Sequence, residues 1–121
     1  MKLRTIITSA LFFLLMTACN AQTKTENSQQ TPEQIALNDS TVIVDVRTPE
    51  EYASGHIEKS INIPLDVIAS KTDQLAGYKT IITVCRSGGR SARAKTILDN
   101  AGFKNVINGG GWEQLNSKIN K

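Results

Sequence analysis

Ten residues, Thr83-Val84-Cys85-Arg86-Ser87-Gly88-Gly89-Arg90-Ser91-Ala92, carry the side-chain types most suited to chemistry. A thiol follows an apolar run, and Arg86 and Arg90 bracket a pair of glycines just after it. Successive backbone N–H groups in such a turn converge on one point, and a helix start beyond them adds partial positive charge. A free thiol ionises near pH 8.5, and at a lower pH beside cations or a helix N-terminus. The segment therefore favours a thiolate at Cys85, or another anion over its sulfur. The bland alternative is a buried structural thiol with Gly88-Gly89 as a mere turn. Two arginines and two serines make the loop too polar for that, and Gly-Gly lets backbone approach a ligand closely. Cys85 is the candidate nucleophile, and Arg86, Ser87, Gly88, Gly89, Arg90 and Ser91 are the candidate substrate-binding residues.

The elements that must hold this loop can be read around it. Thr80 to Val84 is a β-branched run that delivers Cys85 to the C-terminal end of a strand, where open α/β sheets place ligands. Arg90 to Ala101 is the clearest helix, with Ala94, Ile97, Leu98 and Ala101 on one face and Gly102 as its stop. Val42 to Val46 barely alternates and reads as a strand buried on both faces. Thr31-Pro32-Glu33-Gln34 and Thr48-Pro49-Glu50-Glu51 are capping boxes that open short helices, the first through Leu37 and the second ending near Gly55. Ile61 to Ile63 is a brief strand closed by Pro64. Residues 66–76 are weakly helical, Val106-Ile107 is a short strand, Gly109-Gly110-Gly111 a backbone pivot and Trp112 to Ile119 a final helix. Strands interleaved with helices predict an α/β fold: a small parallel sheet flanked by helices on both faces, with one core.

With these motifs in order, the chain resembles the rhodanese family of sulfurtransferases from about Thr41 to Trp112. Asp45-Val46-Arg47 with Glu50-Glu51, Gly55-His56-Ile57 with Ser60-Ile61-Asn62-Ile63-Pro64, the loop Cys85 to Ser91, and Ala101-Gly102-Phe103 with Gly110-Gly111-Trp112 carry the likeness. The resemblance implies a three-layer rhodanese-like fold. It also implies covalent ping-pong chemistry without a cofactor, in which Cys85 takes sulfane sulfur from a donor such as thiosulfate and yields it to cyanide or a thiol. Arg86 and Arg90 would hold the donor's anionic end, unless solvated or paired with a carboxylate. Asp45 and Arg47 are expected in a buried ion-pair network, since a buried charge demands a partner. His56 is expected to pin its turn by a hydrogen bond, and Trp112 to be core or pocket wall. No residue cluster has metal-ligand spacing, so no metal is expected. The competing enzyme reading is a cysteine-based phosphatase or arsenate reductase. Those resemble Cys-x5-Arg, whereas Arg90 here comes one position early. The non-enzyme alternatives are a docking or regulatory module, or a sulfur relay, though modules of that kind usually replace the Cys.

The 121 residues hold 14 Lys+Arg, 11 Asp+Glu, one His and two Cys, and at 40% hydrophobic and 21% charged they describe a globular protein. Lys2 and Arg4 precede the apolar run Ile6 to Met16, which is too short for a spanning helix and reads, over residues 1–18, as a secretory signal peptide. Met16-Thr17-Ala18-Cys19 resembles the lipobox of bacterial lipoproteins, which implies lipidation of Cys19. Residues 19–30 are then anchor site and flexible tether, and 31–121 the rhodanese-like domain. The resemblance places the protein in the bacterial cell envelope, membrane-anchored and facing the periplasm, and Asn20 after the anchor points to the outer membrane. Cleavage leaves 12 basic against 11 acidic residues and no basic run for nucleic acid. Cys85 is then the one free thiol, and a monomer is expected.

Overall fold

The structure, a computed structural model, describes residues 37–121. The signal peptide expected over 1–18, the lipidation expected at Cys19, the tether expected over 19–30 and all but Leu37 of the helix expected over 31–37 lie outside the described residues. Four strands, β1 (Thr41–Asp45), β2 (Ile61–Asn62), β3 (Thr80–Cys85) and β4 (Val106–Gly111), form one sheet in the order β2-β1-β3-β4. Every pairing is parallel, so Asp45, Asn62, Cys85 and Gly111 all end at the same edge of the sheet. The chain passes from β1 outward to β2 and then returns to β3 on the other side of β1. That reversal leaves a crevice at the C-terminal ends of β1 and β3, and Cys85 stands in it.

Three helices, α1 (Pro49–Ala53), α2 (Gly89–Asn100) and α3 (Trp112–Ile119), complete the layers. Val42, Val44, Val46 and Ile81 pack with Ala94 and Leu98 of α2, while Ile43, Ile82 and Val84 pack with Ile57 and Leu115 of α3 on the opposite face. Both sheet faces are therefore apolar, which is why the strand sequences barely alternate. The fold is the expected three-layer α/β arrangement.

Two expectations need correcting. Residues 66–76 hold no α-helix but two 3₁₀ turns, Ile68–Ser70 and Thr72–Leu75, which bury only Ile68 and Leu75. Neither turn has a side-chain cap, and two apolar anchors need no longer helix. β4 extends through Gly111, so Gly109-Gly110-Gly111 is strand and not a pivot. Gly109 serves close approach, since a Cβ there would stand 2.8 Å from Ile82 Cγ2 and 2.9 Å from Val84 Cγ1, whereas one on Gly110 would meet nothing, and that glycine is there for its left-handed φ of 76°. The register shifts between Thr83 and Val84, a bulge that the Cβ-less strand accommodates.

Candidate active site

β3 ends in Cys85, which is 1% exposed, and the chain turns through Arg86 to Gly88 into α2. Gly88 takes the left-handed conformation at φ 100°, where a side chain would be strained. As N-cap of α2 it supplies no side chain, so the first N–H groups of the helix lack the usual partner. The sulfur takes that place. Gly88 N–H donates to Cys85 Sγ at 3.0 Å, and Ser91 Oγ lies 3.5 Å from it. Burial pushes the thiol's pKa up. The Ser91 hydroxyl and the backbone N–H groups of Ser91, Ser87 and Gly88 outweigh this and hold it below the usual thiol value.

Ser91 is fully buried, and its hydroxyl also lies 2.6 Å from Asn108 Oδ1 and 3.0 Å from Gly88 O. One hydroxyl proton serves these acceptors and the sulfur, so a charged sulfur competes for it with the Asn108 carboxamide. Thr83 Oγ1 donates to Ser91 O at 2.8 Å and ties the first turn of α2 to the strand beneath it. Asn108 escaped the sequence reading. The available signal was a turn-favouring polar residue inside a strand.

The guanidinium of Arg90 is committed. Nη1 and Nη2 donate to Glu51 Oε2 and Oε1 at 2.7 and 3.0 Å. Glu51 is also the third residue of α1, where its carboxylate accepts from Thr48 N–H at 3.0 Å while its own N–H donates to Thr48 Oγ1. The Arg90 fork, then the Thr48 N–H, bring the Glu51 carboxyl down to about 2. The pair is therefore fully formed above the ordinary carboxylate pKa and is lost as pH falls toward 2. Arg86, by contrast, is exposed and in no ion pair among the described residues. Of the two arginines bracketing the loop, only Arg86 offers an uncompensated charge.

At the end of β1, Asp45 is fully buried and Arg47 is 4% exposed. Arg47 Nη2 donates to Asp45 Oδ2 at 2.6 Å and to Gly55 O at 2.7 Å, and Nε donates to the same carboxylate at 2.9 Å. The guanidinium lies 4.7 Å from the ring centroid of Trp112. This cluster is structural support beneath the crevice: it ties β1, the turn after α1 and the start of α3 together. His56 lies outside it, exposed, stacked on Tyr52 with Nδ1 2.8 Å from Tyr52 O. Beside the loop, Arg47, Glu51, Ser54, Arg86, Trp112 and Glu113 line an open hollow of about 460 Å³. No group of His, Cys, Asp and Glu suited to a metal occurs among the described residues.

A parallel α/β sheet with a thiol at a strand end, seated on the uncapped start of the next helix, defines a class of cysteine-centred transfer proteins. Residues 26–118 match the rhodanese-like domain, and the chain belongs to that family. It is 35% identical over 74 residues to the thiosulfate sulfurtransferase PspE of Escherichia coli, covering 60% of this chain and 71% of that protein. It is 29% identical over 82 residues to a sulfurtransferase of Allochromatium vinosum, covering 68% and 77%. A solved structure of rhodanese with anions from E. coli superposes with a TM-score of 0.57 at 35% identity, over 60% of this chain and 88% of that one. A rhodanese-like domain protein from Staphylococcus aureus gives 0.57 at 32%, over 65% and 76%. Among eight curated relatives the match spans from 47% to 82% of the relative's own length.

Proposed function

We propose that this chain moves sulfane sulfur from a thiosulfate-type donor to a thiol or cyanide acceptor through a persulfide on Cys85. The observation that carries the reading is the seat of the sulfur, with Gly88 N–H at 3.0 Å on a helix start that no side chain caps. In the first half-reaction the Cys85 thiolate attacks the outer sulfur of thiosulfate. The Cys85 S–S bond forms, the donor's S–S bond breaks, and sulfite leaves with the bonding pair, so that two sulfur-centred charges in the site become one. The loop N–H groups stabilise the persulfide anion. In the second half the acceptor attacks the outer sulfur and returns Cys85 as thiolate.

The position of Arg90 disfavours the phosphatase reading. That chemistry needs a guanidinium clamping three oxyanion oxygens, and Arg90 instead pairs with Glu51. Intact-mass spectrometry of the purified chain after thiosulfate should show a gain of one sulfur atom, removed by cyanide. An unchanged mass would end the proposal.

The signal peptide and a lipid at Cys19 remain part of the proposal, and support for them comes from the apolar run and the small residues Thr17 and Ala18 before the thiol. An envelope location follows from them. A clickable fatty acid fed to cells expressing the chain should label the wild type and not Cys19→Ser; labelling of both, or of neither, counts against the anchor.

A further inference from the structure

Asn108 meets the thiol through Ser91. It sits on β4 opposite Thr83, just before the bulge, and Gly110 N–H donates to its Oδ1 at 3.0 Å. That bond fixes which end of the carboxamide faces α2. Oδ1 lies 2.6 Å from Ser91 Oγ, and Nδ2 is turned toward Gly88 O at 3.5 Å. Ser91 has one hydroxyl proton and three places to send it. Gly88 O, at 3.0 Å, already accepts from Ala92 N–H, and Cys85 Sγ is farther off at 3.5 Å. Asn108 Oδ1 is therefore the strongest rival to the sulfur for that proton.

We infer that Asn108 is a positioning residue which, by holding the Ser91 proton, favours the states of Cys85 whose Sγ carries no charge, and so biases the site toward carrying sulfur. The inference rests on the proposed sulfur transfer and adds a residue to it. In the thiol, Cys85 S–H donates to Ser91 Oγ and Ser91 O–H donates to Asn108, so the chain of hydrogen bonds is complete. In the thiolate the Ser91 proton must turn to the sulfur, and the 2.6 Å bond to Asn108 is given up. Sulfur transfer relieves this competition. Cys85 S⁻ and thiosulfate become Cys85 S–S⁻ and sulfite: the Sγ–S bond forms, the donor's S–S bond breaks, and sulfite keeps the pair. The charge now lies on the outer sulfur, Sγ is a weak acceptor, and the Ser91 proton returns to Asn108.

Asn108→Ala removes the rival acceptor at an exposed position. The full chain, labelled with carbon-13 at the cysteine Cβ, reports the titration of Cys85 by NMR, its signal assigned by loss in Cys85→Ser. In Asn108→Ala the midpoint should fall by about 0.5–1 pH unit, the size of one neutral hydrogen bond. At a pH above both midpoints and a fixed ratio of thiosulfate to sulfite, intact mass should show persulfide over free chain lowered by the same factor, about three- to tenfold. Below both midpoints that ratio should match the wild type, because thiol and persulfide leave Asn108 equally bonded. Ser91→Ala cuts the chain of hydrogen bonds, so adding Asn108→Ala to it should not move the midpoint further. Asn108→Asp keeps the acceptor and adds charge, and should raise the midpoint. A midpoint that Asn108→Ala fails to lower, that Asn108→Asp lowers, or that falls equally in the Ser91→Ala background overturns the inference while leaving sulfur transfer standing. A wild type that gains no sulfur from thiosulfate overturns both.

Discussion

Cys85→Ser should abolish sulfur transfer, by at least about a thousandfold, while the chain still folds. The hydroxyl is nearly isosteric with the thiol, and the buried site supplies it with partners, the Gly88 N–H and the Ser91 hydroxyl. No polar atom is stranded, so the cost in stability should stay near 1 kcal/mol, a few degrees in Tm. An alkoxide is not formed at neutral pH, and serine has no sulfur to carry a second one. The measurements are thiocyanate formation from thiosulfate and cyanide, and a melting curve of the same preparation. A near wild-type rate from a folded variant would remove Cys85 from the chemistry. A variant that melts far below the wild type would instead show that the thiol's packing had been undervalued.

Arg47→Leu should produce the largest loss of stability in the domain. It leaves the Asp45 carboxylate fully buried with the backbone N–H of residue 47, at 3.0 Å, as its remaining local donor. It also takes the donor from Gly55 O and the cation from the Trp112 ring. Breaking one side of a buried pair costs about 3–5 kcal/mol. Small domains have only about 5–15 kcal/mol in total, so the melting temperature should fall by roughly 15–30 °C. Asp45→Asn in the same chain removes the orphaned charge and should recover part of the loss. If Arg47→Leu melts within about 3 °C of the wild type, the pair is not what holds β1 to α3.

Much of the fold was legible because its cause is local. Val42 to Val46 and Thr80 to Val84 fail to alternate since both faces of their strands meet helices, and a continuous β-branched run says so in the sequence alone. The Thr48 to Glu51 box likewise declares its helix. What was hidden depends on distant partners. Residues 66–76 have apolar positions at helical spacing, yet the packing of Ile68 and Leu75 decides in favour of 3₁₀ turns. The length of β4 follows from a glycine, Gly109, that lets Ile82 and Val84 press against it, and three glycines in sequence look like a hinge. In the site, the commitment of Arg90 joins residues 39 apart in sequence, and the sequence favoured donor contact for Arg90 over pairing with a carboxylate. The one signal at Asn108, a turn-favouring polar residue within a strand, is lost when that strand is read as ending at Ile107, and its bond to Ser91 joins residues 17 apart.

The order β2-β1-β3-β4 also bears on how the molecule behaves in a crowd of its own copies. A sheet has two open borders, and each is a row of unused backbone donors and acceptors on which another chain can template itself. Here one border is β2, only two residues long, and the other is β4, whose register with β3 breaks at a bulge. An incoming strand would find too few consecutive partners at the first and a bent, twisted track at the second. The parallel pairs that build the core, β1 with β3, lie in the interior of the sheet, away from both borders. The geometry that seats the sulfur thus also leaves the sheet without a long, regular border for edge-to-edge addition.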